Sequence, residues 1–304
     1  LRGSLATSVS TEEIRSKEQE LILQIAREGG LEALFGNPPD PAKIQAWLAA
    51  KPLSLSGTYG GSTSCVEIQA RNAPLIMIDA GTGARGLGGA LLKRLLKEKR
   101  FNPLNDDAAT ARDIHLFFSH YHWDHLQGFP FFAPAFATGA NKVNFTFYGR
   151  KDARQRLSDV LAGQQECPNF PVAWEDVPCN KSFVELERME PHPIKLGDAI
   201  VTYQELTHPD AVIAYAVEVG NFKVVYATDT EHKDSPDPRL LKLALNANVL
   251  YYDSQYTPGE YRGEPGSITG AFPKFDWGHS TYEWAVKTAL AGNIPNVILG
   301  HHDP

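Results

Sequence analysis

Apolar residues follow two different rhythms along the chain. Between Thr11 and Pro52, Ile14, Leu21, Ile22 and Ile25 recur at roughly helical spacing behind Thr11-Glu12-Glu13, which reads as a helix start. Gly29-Gly30 ends that helix, Asn37-Pro38-Pro39-Asp40-Pro41 is a turn, and Ala42 to Ala50 predicts a second short helix. From Ser64 the pattern becomes that of strands. Cys65 to Gln69 alternates, and Leu75-Ile76-Met77-Ile78 is a continuous apolar run ending at Asp79. Gly81-Thr82-Gly83 turns the chain into a helix over about 84–99, and Ile114 to Phe118 is a strand ending at Ser119-His120. Further strands are predicted at 143–148, 183–188, 199–206, 212–219, 222–227, 248–252 and 296–299, and helices near 152–162, 237–246 and 280–291.

A strand-rich middle with helices at both ends and no internal repeat fits two mixed sheets with helices outside, an α/β sandwich. The chain reads as a single domain over 1–304, with a helical insertion or cap at about 8–53. The composition, 42% hydrophobic and 21% charged, is that of a soluble globular protein. No apolar run approaches the roughly 18–20 residues that a membrane-spanning helix needs. A net charge of −7 argues against a broad basic surface for nucleic acid. Cys65, Cys167 and Cys179 are odd in number and irregular in spacing, which points to a reducing, cytoplasmic setting. The first residue is Leu1 rather than Met, so residues are expected upstream.

The chemistry concentrates in His120-Tyr121-His122-Trp123-Asp124-His125, four potential metal ligands in six residues, delivered by the end of a strand. Imidazole and carboxylate suit zinc, and equally manganese or iron. One short cluster cannot close two coordination spheres. Three distant candidates follow predicted strands: His208 after 199–206, Asp229 after 222–227, and His301 after 296–299. Each alone reads as a turn residue or cap; together with the cluster they occupy one kind of structural position.

HxHxDH followed by isolated His, Asp and His at strand ends resembles the metallo-β-lactamase superfamily of hydrolases, from about Gly60 to the end of the chain. The resemblance implies an αββα four-layer sandwich with a dinuclear metal site on one edge. It places His120, His122 and His208 on one ion and Asp124, His125 and His301 on the other, with Asp229 bridging. His302 competes with His301, and the family's Leu-x-His ending favours His301. Zinc is the favoured metal, with manganese or iron as alternatives. Asp79 in Asp79-Ala80-Gly81-Thr82-Gly83 matches an early Asp that supports a ligating histidine from behind, and Asp303 is a candidate for a similar task.

Further segments narrow the branch. Asp229 stands where antibiotic-hydrolysing members use Cys. Gly278-His279-Ser280-Thr281 resembles the His-Ser-Thr motif of the phosphodiesterase branch, which includes ribonuclease Z and cyclic-phosphate phosphodiesterases; there the His donates a proton to the leaving oxygen. Tyr59-Gly60-Gly61-Ser62-Thr63-Ser64-Cys65 and Asp253-Ser254-Gln255-Tyr256-Thr257 resemble segments of cyclic-phosphodiesterase-like members. The implied function is hydrolysis of a small or cyclic phosphodiester, cyclic-nucleotide-like, by metal-activated hydroxide, with Asp124 and His279 as catalytic residues. A thioester or lactone hydrolase, a tRNA 3′-processing endonuclease and a non-catalytic metal-binding sensor are the alternatives. The expected partner is a small phosphodiester, with no nucleic acid and no membrane, and the resemblance allows a homodimer. Ser280 is a candidate helix cap, Tyr256 reads as a core residue, and Phe170-Pro171-Val172, Trp174 and Trp277 are candidate pocket walls, although aromatic residues at such positions are more often core.

Overall fold

A computed structural model describes residues 11–56, 61–151, 155–187, 192–266 and 272–302. Asp303, and Tyr59-Gly60 of the glycine-rich opening, lie outside the described residues. Helix α1 (Thr11–Arg27) begins as its acidic first turn predicts, and the short helices α2 (Leu31–Phe35), α3 (Pro41–Ala49) and α4 (Leu53–Ser56) follow. Asp40 caps α3 by accepting from the Ala42 N–H at 2.8 Å, with Pro41 in the first turn.

The first sheet contains β1 (Val66–Ile68), β2 (Leu75–Ile78), β3 (Asp113–Phe117), β4 (Asn144–Arg150) and β5 (Asn180–Leu186), in that order. β1 is antiparallel to β2; the remaining pairs are parallel. Helix α5 (Gly83–Glu98) is the crossover from β2 to β3. The second sheet has the order β11 (Asn296–Gly300), β10 (Val249–Asp253), β9 (Phe222–Ala227), β8 (Val212–Val219), β7 (Ala199–Leu206) and β6 (Ile194–Leu196). Its β9, β10 and β11 run parallel, while β6 to β9 form an antiparallel meander.

Three apolar layers hold the sandwich together. Between the sheets, Ile76, Ile78 and Phe117 of the first face Val201, Ile213, Tyr215, Val217, Tyr226 and Tyr251 of the second. The outer face of the first sheet packs Leu75, Met77, Leu116, Phe145 and Phe147 against Leu91 and Leu95 of α5. The outer face of the second packs Val212, Ala214, Val225 and Leu250 against α8 (Pro238–Ala244) and α10 (Tyr282–Ala291). β2 is buried on both faces, which is why its sequence is a continuous apolar run rather than an alternation. The architecture is therefore αββα.

One open choice is decided and one expectation needs correction. Trp174 is 7% exposed and packs into the first sheet's outer core with Phe129 and Phe147, the commoner of its two readings, so it is no pocket wall. The cap of α10 is Thr281, not Ser280, whose hydroxyl instead meets His232 Nδ1 at 2.8 Å. Among the described residues, no helix is long and apolar enough to cross a membrane.

Phe117 is fully buried between the sheets, stacked on Tyr148 at 4.1 Å and edge-on to Tyr215 at 5.3 Å. Phe117→Ala is expected to cost about 3–5 kcal/mol, read from the denaturant midpoint of unfolding.

Candidate metal centre

The parallel strands direct their carboxyl ends to one edge of the sandwich, where such folds place their ligands. β2 is followed by Asp79, β3 delivers Ser119-His120, β7 delivers His208, β9 delivers Thr228-Asp229, β10 ends at Asp253 and β11 is followed by His301. Asp79, Asp229 and His301 each adopt a left-handed backbone, with φ of 58°, 47° and 60°. A run of such residues is uncommon outside glycine, and here each turns the chain away as its strand ends. His122 precedes the short helix α6 (Trp123–Leu126), which places Asp124 and His125. Thr63 Oγ1 donates to the Asp124 carbonyl at 2.6 Å, and the Ala80 N–H donates to the His125 carbonyl at 2.8 Å, locking that turn onto the loop after β2. Gly81 permits this approach: a Cβ there would collide with the Asp124 carbonyl.

Among the described residues the candidate ligand atoms form three groups: His120, His122 and His208 in the first, Asp124, His125, Asp229 and His301 in the second, and Asp229, Asp253, His279 and His301 in a third that overlaps the second. In the second, His125 Nε2 lies 3.1 Å from Asp124 Oδ2 and 3.3 Å from Asp229 Oδ1, and His301 Nε2 lies 3.2 Å from each of those oxygens. A tetrahedral ion with bonds of 2.0–2.1 Å has ligand–ligand edges of about 3.3 Å. In the first, His122 Nδ1 and His208 Nε2 are 3.2 Å apart, and His120 Nε2 is 3.6 Å from Asp229 Oδ2, so Asp229 faces both the first group and the second.

The outward nitrogens explain which way each ring faces. His120 Nδ1 meets Ser119 Oγ at 3.1 Å, His122 Nε2 meets Asp210 at 3.0 Å, and His125 Nδ1 meets Asp79 at 2.8 Å. His208 Nδ1 meets the Gly278 carbonyl at 3.1 Å and His301 Nδ1 meets Gln255 Oε1 at 2.9 Å. An acceptor behind an imidazole fixes its proton on the far nitrogen and leaves a lone pair facing inward. Those inward atoms face other lone pairs and carboxylate oxygens. His120 Nε2 and His125 Nε2 are buried without a hydrogen-bond partner. Unshared lone pairs gathered at these distances are repulsive unless a cation lies among them, so these residues fit divalent metals. Of the two candidates at the chain's end, His301 faces the centre, whereas His302 Nδ1 is tied to Ser254.

Charge follows the same arrangement. Burial, reinforced by the neighbouring His125, drives His120 well below the usual histidine range, so it stays a neutral lone-pair donor. Burial also lowers His208. Burial would lower His125 too, but Asp229, Asp79 and Asp124 outweigh it and push it up; a metal ion would satisfy the same carboxylates in place of that proton. For Asp229, burial is outweighed by His301, His125 and His120, which hold the carboxyl well below its ordinary range.

Asp79 is fully buried and accepts from the Ser119 N–H at 2.7 Å, Ser119 Oγ at 2.8 Å, His125 Nδ1 and the Tyr226 hydroxyl at 2.9 Å. His279 lies beside the centre, its ring stacked on His301 at 5.0 Å and its Nδ1 on Asp253 Oδ2 at 2.9 Å. Burial would lower His279, but Asp253's charge and hydrogen bond outweigh it and raise it to about 9. Tyr256 is buried as expected, and its ring also meets His279 edge-on at 6.1 Å.

Sequence reasoning assigned no role to Asp253, Gln255 or Glu231. Asp253 carried a readable signal, since it stands at a strand end as Asp79 and Asp229 do. Glu231 did not: its carboxylate accepts from the Tyr261 hydroxyl at 2.7 Å and from the Asp276 and Gly278 N–H groups at 2.7 and 3.0 Å. It thereby pins the loop whose Gly278 carbonyl orients His208. Gly278 has φ 87°, and a Cβ there would strike His208 Nδ1.

Asp79→Asn preserves volume while removing the charge behind His125. It is expected to lower metal affinity about 10–100-fold in a chelator competition, with the fold intact by circular dichroism.

Comparison with known proteins places this geometry. No curated protein matches the sequence. A family model described as "Beta-lactamase superfamily domain" matches residues 75–302, three quarters of the chain. Among solved structures, the metallo-β-lactamase fold protein YhfI from Bacillus subtilis is 19% identical, with 80% of this chain and 79% of that one covered and a TM-score of 0.51. The short form of human tRNase Z is 16% identical over 79% and 86% of the two chains, also at 0.51. Unliganded yeast PDE1 is 14% identical over 81% and 84%, again at 0.51. At these identities the likeness is one of fold. The family model carries the assignment: the chain belongs to the β-lactamase superfamily of metal-dependent hydrolases.

Proposed function

We propose that the protein is a dinuclear metal-dependent phosphodiesterase acting on a small or cyclic phosphodiester. The observation that carries this reading is the Asp253–His279 pair beside the ligand cluster: His279 is 8% exposed, 2.9 Å from Asp253 and 4.0 Å from Asp229. An alkoxide is a poor leaving group and needs a proton as it departs, whereas a thiolate does not. A buried, carboxylate-oriented imidazole at the centre therefore favours phosphodiester over thioester substrates. The His-Ser-Thr resemblance and the structural likeness to human tRNase Z point the same way.

His120, His122 and His208 would hold one ion and Asp124, His125 and His301 the other, with Asp229 between them. Two divalent cations, zinc most readily for this donor set, supply the positive charge that lowers the pKa of water and offsets charge building on phosphoryl oxygens. The chain's own residues do the rest. Asp124 Oδ2 sits at contact distance from both His125 and His301, so it fixes their mutual geometry. Asp253 holds the Nδ1–H of His279, and it accepts from the Ser280 N–H at 2.8 Å, so the ring cannot rotate freely. That leaves Nε2 as the atom that hands a proton to the departing oxygen. No covalent enzyme intermediate is required. The net charge of −7 supports a small substrate rather than a long polyanion.

With zinc- or manganese-loaded protein, bis(p-nitrophenyl) phosphate should be hydrolysed, and Asp124→Asn should abolish turnover. His279→Ala should lower kcat about 100-fold or more for an alkyl-ester substrate and less for a nitrophenyl ester, whose leaving group needs less protonation. Absence of turnover with either metal, in protein shown to hold both ions, would contradict the phosphodiesterase reading. An equal loss on both esters would contradict the proton-donor role.

A further inference from the structure

The segment after β9 stays buried without regular structure: Thr228, Asp229, Thr230, Glu231 and His232 are each 7% exposed or less. Loops normally run over the surface, so a buried one is held by packing and by side-chain hydrogen bonds. Asp229 belongs to the candidate metal centre, and Glu231 pins the Gly278 loop. His232 does neither. Its ring stacks on Trp284 of α10 at 4.6 Å and lies 4.5 Å from Tyr261, and its Nδ1 meets Ser280 Oγ at 2.8 Å.

Packing alone does not call for a histidine at this position. A phenylalanine would make the same ring contacts without the cost of burying polar nitrogens. Burial lowers His232 to about 4, so the ring stays neutral and gives Ser280 a hydrogen bond rather than a charge. What the imidazole adds over a plain ring is that bond.

Ser280 directly follows His279. The backbone of His279 is therefore held at both of its neighbours by the segment that carries Asp229. Glu231 accepts from the Gly278 N–H at 3.0 Å on one side, and His232 takes the Ser280 hydroxyl on the other. Asp253 separately orients the His279 ring. Glu231 and His232 stand only two and three residues beyond Asp229, so the connection from that carboxylate to the His279 backbone is short.

We propose that His232 is a positioning residue: by holding the Ser280 hydroxyl it fixes where His279 Nε2 stands relative to the candidate metal ligands. For its catalytic consequence the inference rests on the proton-donor role proposed for His279. A proton donor must come within about 2.6–3.2 Å of the oxygen it serves. A displacement of about 1 Å at a reacting group can cost about 100-fold in rate. His232 acts at one remove, through Ser280, so its loss should weaken proton delivery without removing the donor.

His232→Phe keeps the ring contacts and removes the hydrogen bond. In zinc-loaded protein it should lower kcat about tenfold for an alkyl phosphodiester and less for a nitrophenyl ester, with KM unchanged and both ions retained by elemental analysis. A general loosening of the fold would lower both esters alike. His232→Asn, whose carboxamide reaches the position of Nδ1, should recover most of the lost kcat. Ser280→Ala removes the same bond from the other side, and the double variant should be no slower than either single one. A second readout needs no turnover. The Nδ1–H of His279, bonded to Asp253, gives a downfield proton resonance identified by its loss in His279→Ala, and His232→Phe and Ser280→Ala should both shift it. An unmoved resonance, equal losses on the two esters, or losses that multiply in the double variant would overturn the positioning role. A wild-type protein that cleaves neither ester, with the resonance shifted in both variants, would sink the phosphodiester reading and leave the positioning of His279 standing.

Discussion

Five imidazoles and two carboxylates turn their electron pairs toward one small volume, and most of what surrounds them exists to hold that arrangement. Left with neither a proton nor a cation the cluster is repulsive: His122 and His208 face each other nitrogen to nitrogen at 3.2 Å, and His301 Nε2 lies against oxygens of Asp124 and Asp229 at 3.2 Å. What stops the rings from turning away is the set of acceptors behind them. Ser119, Asp210, Asp79, Gly278 and Gln255 each take the outer nitrogen of one histidine. Ordering those side chains against repulsion is unfavourable without a cation, which is why metal binding and local order are coupled in such sites.

The fold supplies that constraint through strand direction. Parallel β2–β5 and β9–β11, with β7 running the same way as β9, end at one edge, and the chain leaves three of those strands through a left-handed residue that also belongs to the centre or its support. The inter-sheet core reaches directly to it. Tyr226, packed between the sheets, donates to Asp79, and Asp79 in turn holds His125. A change in sheet packing is thereby felt at a candidate ligand. The Glu231 carboxylate does the corresponding work on the other side, pinning the segment that carries Gly278 and His279 to the turn after Asp229.

The amino-acid sequence made the fold legible because its long strands are either buried on both faces or alternate cleanly: 199–206, 212–219 and 222–227 have the bounds that the pattern predicts. It failed where elements are too short to show a period, as with β6, α6 and α9 (Pro258–Arg262), each five residues or fewer. The ligand candidates were legible from their residue types and strand-end positions. Asp79 was legible as the support of a histidine only through the family resemblance; the other partners were not, because Gln255 with His301 and Glu231 with Gly278 are joined across tens of residues by packing alone. Aromatic residues stayed ambiguous for the same reason. Trp174 offers the same indole to a core or to a pocket, and only the packing of Phe129 and Phe147 around it decides.

The most direct test is metal stoichiometry. The purified chain, stripped with chelator and then dialysed against zinc, should retain two ions by elemental analysis. Asp229→Ala, which removes the carboxylate shared by both groups, should retain one or none. Wild-type protein that holds no zinc, or only one ion, while remaining folded would contradict the central claim that these inward-facing lone pairs form a dinuclear centre.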